Sequence, residues 1–401
     1  MQLVSLVLAG VGLLFWGLQL ITLLRVARRV PLLHTLPEVA QDQWPRVSAI
    51  LTARNEEAAL EGAVRARFAE DYPNLELILV DDRSTDRTPE IADRLAAADP
   101  RVRVVHVATL PPGWLGKLNA LQQGLAVATG EWVLLSDADV SVHRGVLRRL
   151  IAHCEAKQID HCALMPRLRP VNALLDCVTS IFLRFVALNF RIWAIEDPRS
   201  SASVGVGAFN LVRRSALERT PGLAWLKMEV ADDIALGQML KASGARQTVV
   251  NGRALADLVF HRSIADSLTS AERATYTAIG NFSLVRLTLL GTVALVLELS
   301  PLLALALARD PASLVAAVGL FVVALAAQVV SNRWHARSSW NLVFFPFAEL
   351  VVFFSQVRSG VLGTLRGGIR WRGTFYANAE LKAGRRFGTS WQALRARRET
   401  P

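Results

Sequence analysis

The sequence predicts an α/β fold with a mostly parallel sheet, together with transmembrane helices towards both ends of the chain. Short apolar runs alternate with helical segments from Arg46 to about Val140, which is typical of β-α-β units. Long apolar runs lie on both sides of that region. The composition agrees, since 52% of the 401 residues are apolar and 20% are charged, yet the formal net charge is +11. An apolar and basic chain indicates a membrane protein whose water-exposed parts lie against anionic lipid.

The first apolar run predicts a membrane anchor over residues 1–30. It extends without a charge from Leu3 to Leu24, long enough to cross a hydrocarbon core of about 30 Å. A cleaved signal peptide is the alternative, but Met1–Ser5 carries no positive charge and no A-x-A site follows. Three arginines come directly after the run and indicate its cytoplasmic end: Arg25, Arg28 and Arg29. We therefore expect an uncleaved anchor with its amino end outside and the residues after it in the cytoplasm.

The region after the anchor predicts four strands and three helices. The strands are predicted over residues 47–51, 75–80, 102–107 and 132–136, and the helices between them over residues 57–70, 89–98 and 118–128. Thr88 before Pro89 predicts the start of the second helix, because Pro fits the first helical position and Thr can cap it. Ligands of parallel sheets bind beyond the carboxyl ends of the strands. We therefore expect the functional residues at that edge, within a catalytic domain over residues 45–280.

An apolar stretch over residues 171–195 lies inside this catalytic region. Its two arginines, Arg184 and Arg191, are seven positions apart and fall on one helical face. A core helix is one interpretation of the stretch. A helix that lies in the membrane interface is the other, and it accounts for the basic face and for Trp193. The sequence leaves both open.

The carboxyl-terminal part predicts more membrane segments. Leu287–Ala308 and Ser313–Val330 form a predicted transmembrane hairpin over residues 283–331. A third apolar segment, residues 341–365, contains Pro346, Glu349 and Arg358. We interpret it as re-entrant or interfacial, with a miscounted hairpin as the alternative.

The basic tail is the reason for that interpretation. Residues 366–401 hold nine Lys or Arg against Glu380 and Glu399, a net charge of +7. If the third segment crossed fully, this tail would lie outside, against the positive-inside rule. A basic tail is also compatible with nucleic-acid binding, but no aromatic-rich module accompanies it, so we expect no nucleic-acid partner.

Four acidic or polar clusters follow predicted strands or start a predicted helix. They are residues 52–57, 80–86, 136–139 and 229–237. Taken singly, Asp86 could cap a turn and Asp232–Asp233 could start a helix. Asp137 and Asp139 point to the same side of an extended chain, so one can bind a divalent cation and the other a ligand hydroxyl. Carboxylate oxygens suit Mg²⁺ or Mn²⁺, and a diphosphate would complete the shell of the metal.

The motifs in this order resemble the membrane-associated glycosyltransferase family 2, in particular the bacterial ceramide- and hopanoid-type lipid glycosyltransferases. They are TARNE (52–56), DDRSTD (81–86), GKLNAL…ATGEWVLLSDAD (116–139), GVGAFNLVRRSAL (205–217) and VADDIALGQMLKASG (230–244). In addition, GIRWRGTFY (368–376) is similar to a WKGRxY tail of related members. The resemblance implies a GT-A type, Rossmann-like nucleotide-sugar-binding domain and extends from about Val47 to Arg262.

The resemblance also implies roles for individual residues. Asp82 is similar to the aspartate that binds the uracil ring, and Lys117 to the cation near the nucleotide. Asp137 resembles the nucleotide-sugar-binding aspartate and Asp139 the metal ligand of the D-x-D motif. Asp233 matches the catalytic base of the family's E-D motif. The expected lining of the nucleotide pocket is Ala53, Arg54, Asn55 and Glu56.

One departure and two weaker candidates accompany these roles. Asp232 stands where the family has Glu, which leaves the choice of base between Asp232 and Asp233 open. His261 and Arg262 are further candidates to assist the leaving group, although a structural role fits each of them better.

The resemblance implies an inverting single displacement, in which a base takes the proton of an acceptor hydroxyl and the metal offsets charge on the leaving diphosphate. The Q-x-x-R-W motif of processive synthases is missing, because Gly367 and Val330 stand where Gln is needed. We therefore expect transfer of one sugar to a lipid at the cytoplasmic leaflet of a bacterial-type inner membrane, and the resemblance implies a UDP-sugar as the donor. A processive synthase and a non-catalytic membrane scaffold are the alternatives. The sugar, the acceptor and the oligomeric state stay open.

Overall fold

The computed structural model describes residues 2–39, 41–386 and 388, and within them two compact units. The helical unit comprises Met1–Val30, Arg169–Trp193 and Phe260–Trp371. The sheet unit comprises Pro31–Leu168, Ala194–Val259 and Arg372–Pro401. Most of the basic tail beyond Arg386 lies outside the described residues.

In chain order, the helices are α1 (Gln2–Arg29), α2 (Leu60–Ala69), α3 (Thr88–Ala98), α4 (Gly116–Val127), α5 (Val146–Lys157), α6 (Ala173–Asn189), α7 (Arg214–Glu218), α8 (Asp232–Ala242), α9 (Ile264–Ala274), α10 (Leu284–Leu307), α11 (Pro311–Trp334), α12 (Phe345–Leu365) and α13 (Asn378–Gly384). The strands are β1 (Val47–Ala53), β2 (Leu75–Asp82), β3 (Val102–Val107), β4 (Trp132–Ser136), β5 (Ser141–Val142), β6 (His161–Met165), β7 (Arg167–Leu168), β8 (Phe209–Arg213), β9 (Gln247–Asn251), β10 (Ala256–Leu258), β11 (Gly368–Trp371) and β12 (Thr374–Ala377).

A seven-stranded sheet forms the centre of the sheet unit, in the order β3-β2-β1-β4-β8-β6-β9. Its strands pair in parallel except β8, which is antiparallel to both β4 and β6. The mostly parallel sheet expected from the β-α-β alternation is therefore confirmed. All residues of β2 and β4 are buried, which explains why apolar residues fill consecutive positions in these strands (77–80 and 132–135) rather than alternate ones.

The predicted bounds of β3 and β4 match the structure, whereas β1 and β2 each extend two residues farther, to Ala53 and Asp82. Both strands continue because the register keeps Ala53 opposite Asp81 after the apolar runs have ended. The predicted helix over residues 57–70 was too long at its start, since α2 begins at Leu60.

The antiparallel strand β8 was not predicted, and it is important for the site. Ser136, the last residue of β4, lies opposite Phe209, the first residue of β8. Because β8 runs against its neighbours, the segment that precedes it arrives at the edge where the parallel strands end. This places residues 205–208 beside Asp137.

The helical unit contains five helices that are long and apolar enough to cross a membrane, among the residues that the structure describes. They are Gln2–Arg29, Ala173–Ala194, Leu284–Leu307, Pro311–Trp334 and Ser339–Leu365. The segment that contains α6 is the most enclosed of them. In its apolar stretch of 18 residues, 56% are buried, against 22–33% in the corresponding stretches of the other four. Nevertheless, Phe182 and Phe185 on α6 are exposed. The segment therefore combines features of both interpretations that the sequence left open.

The proposed basic face of residues 171–195 was wrong for Arg184. Only 2% of Arg184 is exposed, and its Nη2 lies 2.5 Å from Glu298 Oε2 and 3.6 Å from Glu349 Oε1. The guanidinium also lies 4.9 Å from the ring centroid of Trp16. Two glutamates and an aromatic ring from other helices offset its charge inside the unit, so Arg184 cannot bind lipid headgroups.

Candidate active site

The loops after β1 and β2 are joined by Asn55. Its backbone has a φ of 54°, a left-handed conformation that Asn tolerates better than most residues. Its Oδ1 accepts a hydrogen bond from Thr85 N–H at 2.8 Å, and its own N–H donates to Ser84 Oγ at 3.0 Å. Asn55, which the resemblance assigned to the nucleotide pocket, therefore holds the two loops together.

Thr88 has a different role from the predicted cap. It is the first residue of α3, and its Oγ1 accepts a hydrogen bond from Glu56 N–H at 2.8 Å. The carboxylate that binds the start of this helix is Asp86, whose Oδ1 accepts from Thr88 N–H at 3.0 Å. Glu57 N–H donates to the second oxygen of Asp86 at 3.1 Å. The turn-capping interpretation of Asp86 thus agrees with its contacts.

Asp82 lies at the end of β2 and is 5% exposed. Both of its oxygens accept hydrogen bonds from Arg83, at 2.7 and 3.0 Å, and Arg54 Nη1 lies 4.0 Å from Oδ2. A Cβ added at Gly116 would lie 2.6 Å from Asp82 Oδ2, so only glycine permits α4 to begin this close to the carboxylate. Asp82 is therefore fixed between two arginines and the first residue of α4.

The centre of the site is a cleft where Lys117 meets three carboxylates. Lys117 Nζ lies 3.3 Å from Asp137 Oδ1 and 3.6 Å from Asp232 Oδ2. A Cβ added at Gly207 would lie 3.3 Å from Asp233 Oδ2, 3.7 Å from Asp137 Oδ2 and 3.7 Å from Lys117 Nζ. All five residues line one pocket. The structure therefore brings together four of the predicted site residues, which come from α4, the end of β4 and the start of α8.

Glycines allow the segment before β8 to lie against the start of α8. A Cβ at Gly205 would overlap the carbonyl oxygen of Asp233, and one at Gly237 would lie 2.5 Å from the backbone of Val204. Gly207 N–H donates to Asp233 Oδ2 at 2.7 Å, and Ile234 N–H donates to Oδ1 at 2.8 Å. These bonds fix the orientation of the Asp233 carboxylate.

The charges in the cleft change one another's ionisation. Burial raises the pKa of Asp232 to about 6, against the opposing effect of Lys117. Burial likewise raises the pKa of Asp233. Burial alone would lower the pKa of Lys117, but Asp137, Asp232 and Asp233 together raise it above its ordinary value. The positive charge of Lys117 therefore offsets the mutual repulsion of these neighbouring carboxylates.

Asp139 is a candidate metal ligand, and its carboxylate is close to that of Asp137. Burial and the neighbouring Asp137 raise the pKa of its carboxyl group, as expected when two like charges share a site. No group of three or more His, Cys, Asp or Glu side chains forms a metal cluster within the described residues. Asp139 with Asp137 thus fits a hard divalent cation that draws its remaining oxygen ligands from a substrate.

Sequence reasoning missed a buried cation next to the acidic strand end. Arg67 on α2 is 2% exposed, and its Nη2 donates to Ser136 Oγ at 2.9 Å. Its other buried partner is Glu70, whose carboxylate lies 3.5 Å away. Burial raises the pKa of Glu70 to about 7. In the sequence Arg67 is one of many arginines on a helix, and no local pattern indicates that it faces the residue before Asp137.

The weaker candidates His261 and Arg262 belong to the helical unit and do not line the cleft. His261 lies against Phe260, with ring centroids 4.2 Å apart, and Arg262 N–H donates to Asp266 Oδ2 at 2.9 Å. These contacts agree with the structural role that the sequence favoured for both.

Gly207→Ala should reduce sugar transfer, because the added methyl group would lie inside the cleft. The added methyl group would lie at the point where Asp233, Asp137 and Lys117 converge, so we expect weaker donor binding and a turnover reduced about tenfold or more. Gly62→Ala on α2 is the matched control, because nothing lies within 4 Å of the position of its added Cβ. Sugar transfer and melting temperature should be compared for both variants. Equal transfer by Gly207→Ala and wild-type protein would contradict the placement of the cleft.

The comparison with protein families decides which family this is. The model of glycosyl transferase family 21 matches residues 6–384, which is most of the chain. The chain belongs to glycosyl transferase family 21. The expectation of a glycosyltransferase family, and of an enzyme that transfers sugars, is thereby confirmed, although the resemblance named family 2 and the matching model is that of family 21. The match includes the residues of the cleft and most of the helical unit.

Two curated relatives are similar to about half of this chain. The β-monoglucosyldiacylglycerol synthase of Synechocystis sp. is 30% identical over 199 residues, which are 48% of this chain and 40% of the relative. The enzyme of the same name from Nostoc sp. is 29% identical over 200 residues, which are 49% of this chain and 41% of the relative. The chain thus spans less than half the length of the curated relatives it matches.

A solved structure confirms the fold. The mannosyltransferase PcManGT from Pyrobaculum calidifontis, in complex with GDP-Man and Mn²⁺, is 18% identical with a TM-score of 0.53. The likeness covers 90% of this chain and 99% of that one. The GT-A type fold predicted from the sequence is therefore confirmed, and the described residues include apolar helices long enough to cross a membrane towards both ends of the chain.

Proposed function

We propose that this protein transfers a single sugar, with inversion, from a nucleotide-sugar donor to a membrane lipid. The observation that carries the proposal is the convergence of Lys117, Asp137, Asp232 and Asp233 around Gly207, in a chain whose described residues include five long apolar helices. The relatives from Synechocystis and Nostoc are named for the synthesis of a glucosyl lipid, which supports a lipid acceptor.

The donor would lie along the carboxyl edge of β1, β2 and β4. Asp82 would accept a hydrogen bond from the nucleobase, and Lys117 would offset charge on the sugar diphosphate. Asp137 would bind the donor, and Asp139 would hold Mg²⁺ or Mn²⁺. When bound, such a cation offsets the charge that develops on a departing diphosphate. A uridine nucleotide follows from the resemblance, and the contacts of Asp82 do not distinguish it from guanosine.

Asp233 is the proposed base. Its carboxylate is oriented by the N–H groups of Gly207 and Ile234, and burial raises its pKa, which favours proton transfer. Burial raises the pKa of Asp232 as well, so the assignment follows the orientation of the Asp233 carboxylate. Asp232, whose Oδ2 lies 3.6 Å from Lys117 Nζ, would hold that cation in place. The Asp233 carboxylate would take the proton of the acceptor hydroxyl while the acceptor oxygen attacks the anomeric carbon. The nucleoside diphosphate would leave from the opposite face of the sugar.

The path of the chain supports an even number of membrane crossings between Val259 and Arg372, with the sheet unit on the cytoplasmic side. The unit contains both β1–β10 and Arg372–Arg386. A water-exposed unit lies on one side of the membrane, so the chain must return to that side between Val259 and Arg372. Because α10, α11 and α12 lie in this interval, at most two of the three can cross. We propose that α10 and α11 form the transmembrane hairpin and that α12 does not cross fully.

The same reasoning applies to α6. The chain leaves the sheet unit at Leu168 and returns at Ala194, and the strands on either side, β6 and β8, are hydrogen-bonded neighbours. A single crossing by α6 would separate them. We therefore propose that α6 enters the membrane boundary without crossing it, where its exposed Phe182 and Phe185 would contact lipid.

Cysteine labelling with a membrane-impermeant reagent should reveal this topology. In a variant without its native cysteines, Ala312→Cys should react in intact cells, because Ala312 is the second residue of α11 and directly follows the turn after α10. Ser338→Cys and Ala379→Cys should react only after the membrane is opened, since both would face the cytoplasm. All three positions are exposed. Thr389, in the basic tail, lies outside the described residues. Labelling of Ala379→Cys in intact cells would contradict the proposed path.

The function is tested by identifying the product. Membranes that contain the protein should be incubated with several labelled nucleotide sugars, and the lipid extract should be analysed by mass spectrometry. The proposal expects one new lipid whose mass is increased by one sugar, absent in membranes with Asp233→Asn. A ladder of masses would indicate a processive synthase instead, and no labelled lipid with any donor would contradict the proposal.

A further inference from the structure

The segment Arg372–Tyr376 belongs to the sheet unit and contacts the loop after β1. Arg372 Nη1 donates to Glu56 Oε1 at 2.7 Å and to the carbonyl oxygen of Arg54 at 3.2 Å. In return, Arg54 Nη1 donates to Thr374 Oγ1 at 3.4 Å. The segment is thus attached to two residues of the predicted nucleotide pocket, although more than 300 positions separate them in the sequence.

Tyr376 fixes this segment beside Lys117. Tyr376 is 5% exposed, and its hydroxyl oxygen accepts a hydrogen bond from Gly116 N–H at 3.1 Å. Gly116 is the first residue of α4, whose early N–H groups have no partner within the helix. The phenol therefore satisfies the start of the helix that carries Lys117, and it sets the distance between Arg372 and the cleft.

The backbone holds Arg372 in an unusual conformation. Its φ is 48°, in the left-handed region that non-glycine residues seldom adopt, and Gly373 follows with a φ of 80°. Such conformations are unfavourable for residues with a side chain and persist where the surroundings enforce them, often at ligand-binding sites. Here the enforcing contacts are those of Thr374 and Tyr376 on either side of the pocket.

The contacts of Arg372 place it at the predicted nucleotide pocket. It donates to Glu56 and to the carbonyl oxygen of Arg54, and Tyr376, four residues later, contacts the residue before Lys117. The Arg372 side chain is 54% exposed, so its guanidinium is free to exchange one anion for another.

We propose that Arg372 binds the diphosphate of the donor, exchanging Glu56 for a phosphate oxygen when the nucleotide arrives. The inference rests on the proposed function, because it takes the diphosphate to lie near Asp139. A guanidinium presents paired N–H groups that match two phosphate oxygens, which a lysine cannot do. In the absence of donor, Glu56 keeps this arginine at the pocket. Arg372 and Lys117 would then hold the diphosphate from two different segments of the chain.

Nucleotide binding by purified protein in lipid nanodiscs tests the inference without requiring turnover. Arg372→Ala should raise the Kd for UDP about 10- to 100-fold, the size of a lost charge-assisted contact. The Kd for UMP, which lacks the second phosphate, should rise much less. The Kd of Arg372→Lys for UDP should lie between those of wild-type protein and Arg372→Ala, since lysine keeps the charge and loses the paired geometry. Lys382→Ala, which removes an exposed positive charge on α13, should leave both Kd values unchanged.

The outcomes separate this inference from the proposed function. Equal losses for UDP and UMP in Arg372→Ala, with an unchanged melting temperature, would overturn the diphosphate assignment and leave only a structural role. An unchanged Kd for UDP would also overturn it. If wild-type protein bound neither UDP nor GDP in the presence of Mn²⁺, the proposed function itself would fail.

Discussion

Asp233→Asn should lower the rate of sugar transfer by about 10²–10⁴-fold, the usual contribution of a general base. The amide cannot accept the proton of the acceptor hydroxyl, but it keeps the shape of the carboxylate and can still accept the hydrogen bond from Gly207 N–H. Donor affinity should therefore stay within a few-fold of wild type. Initial rates and the Kd for the nucleoside diphosphate, measured on the same preparation, check both parts.

Asp232→Asn is the matched control for this prediction. It removes the neighbouring charge, which lies 3.6 Å from Lys117 Nζ, and leaves the proposed base in place. We expect a smaller loss of rate together with a change in donor affinity, because Lys117 would lose one partner. If Asp232→Asn is the inactive variant and Asp233→Asn keeps its activity, the two roles are reversed.

Asp139→Ala should abolish metal-dependent donor binding and reduce transfer by roughly 10³-fold, since a bound cation contributes several kcal/mol to such reactions. Burial and the charge of Asp137 disfavour the ionised form of Asp139, so removing this carboxyl group should not destabilise the fold. Calorimetric titration of the nucleotide with and without Mn²⁺ measures the binding part. Asp42→Ala, at an exposed site in the sheet unit, is the control for loss of a carboxylate. Full activity in excess chelator would contradict the metal assignment.

The parallel strands β1 to β4 could be predicted because each is a local apolar pattern, whereas β6 and β9 were not predicted. Both β3 and β4 begin and end at the predicted residues, although β4 is buried throughout and β3 has exposed positions. By contrast, β8 was missed. Its position between β4 and β6 depends on pairing with strands remote in sequence, and its antiparallel direction has no local signal.

The acidic residues of the site could also be predicted. Carboxylates placed together directly after a buried strand repel one another, and this repulsion indicates that a cation or a ligand binds there. What surrounds them could not. Gly207 owes its importance to a close approach between β8 and α8, and Arg67 to the pairing of a helix with Ser136. Arg184 shows the opposite case: spacing placed it on a basic face, whereas partners on distant helices enclose it.

The most direct test of single, inverting transfer uses purified protein in lipid nanodiscs, with the donor and acceptor found from the lipid extract. Nucleoside diphosphate released and sugar incorporated into lipid should be measured together, and NMR should give the anomeric configuration of the product. The account predicts one nucleoside diphosphate for each lipid that gains one sugar, and a β-linked product from an α-linked donor. Retention of the donor configuration, or several sugars on each acceptor, would contradict it.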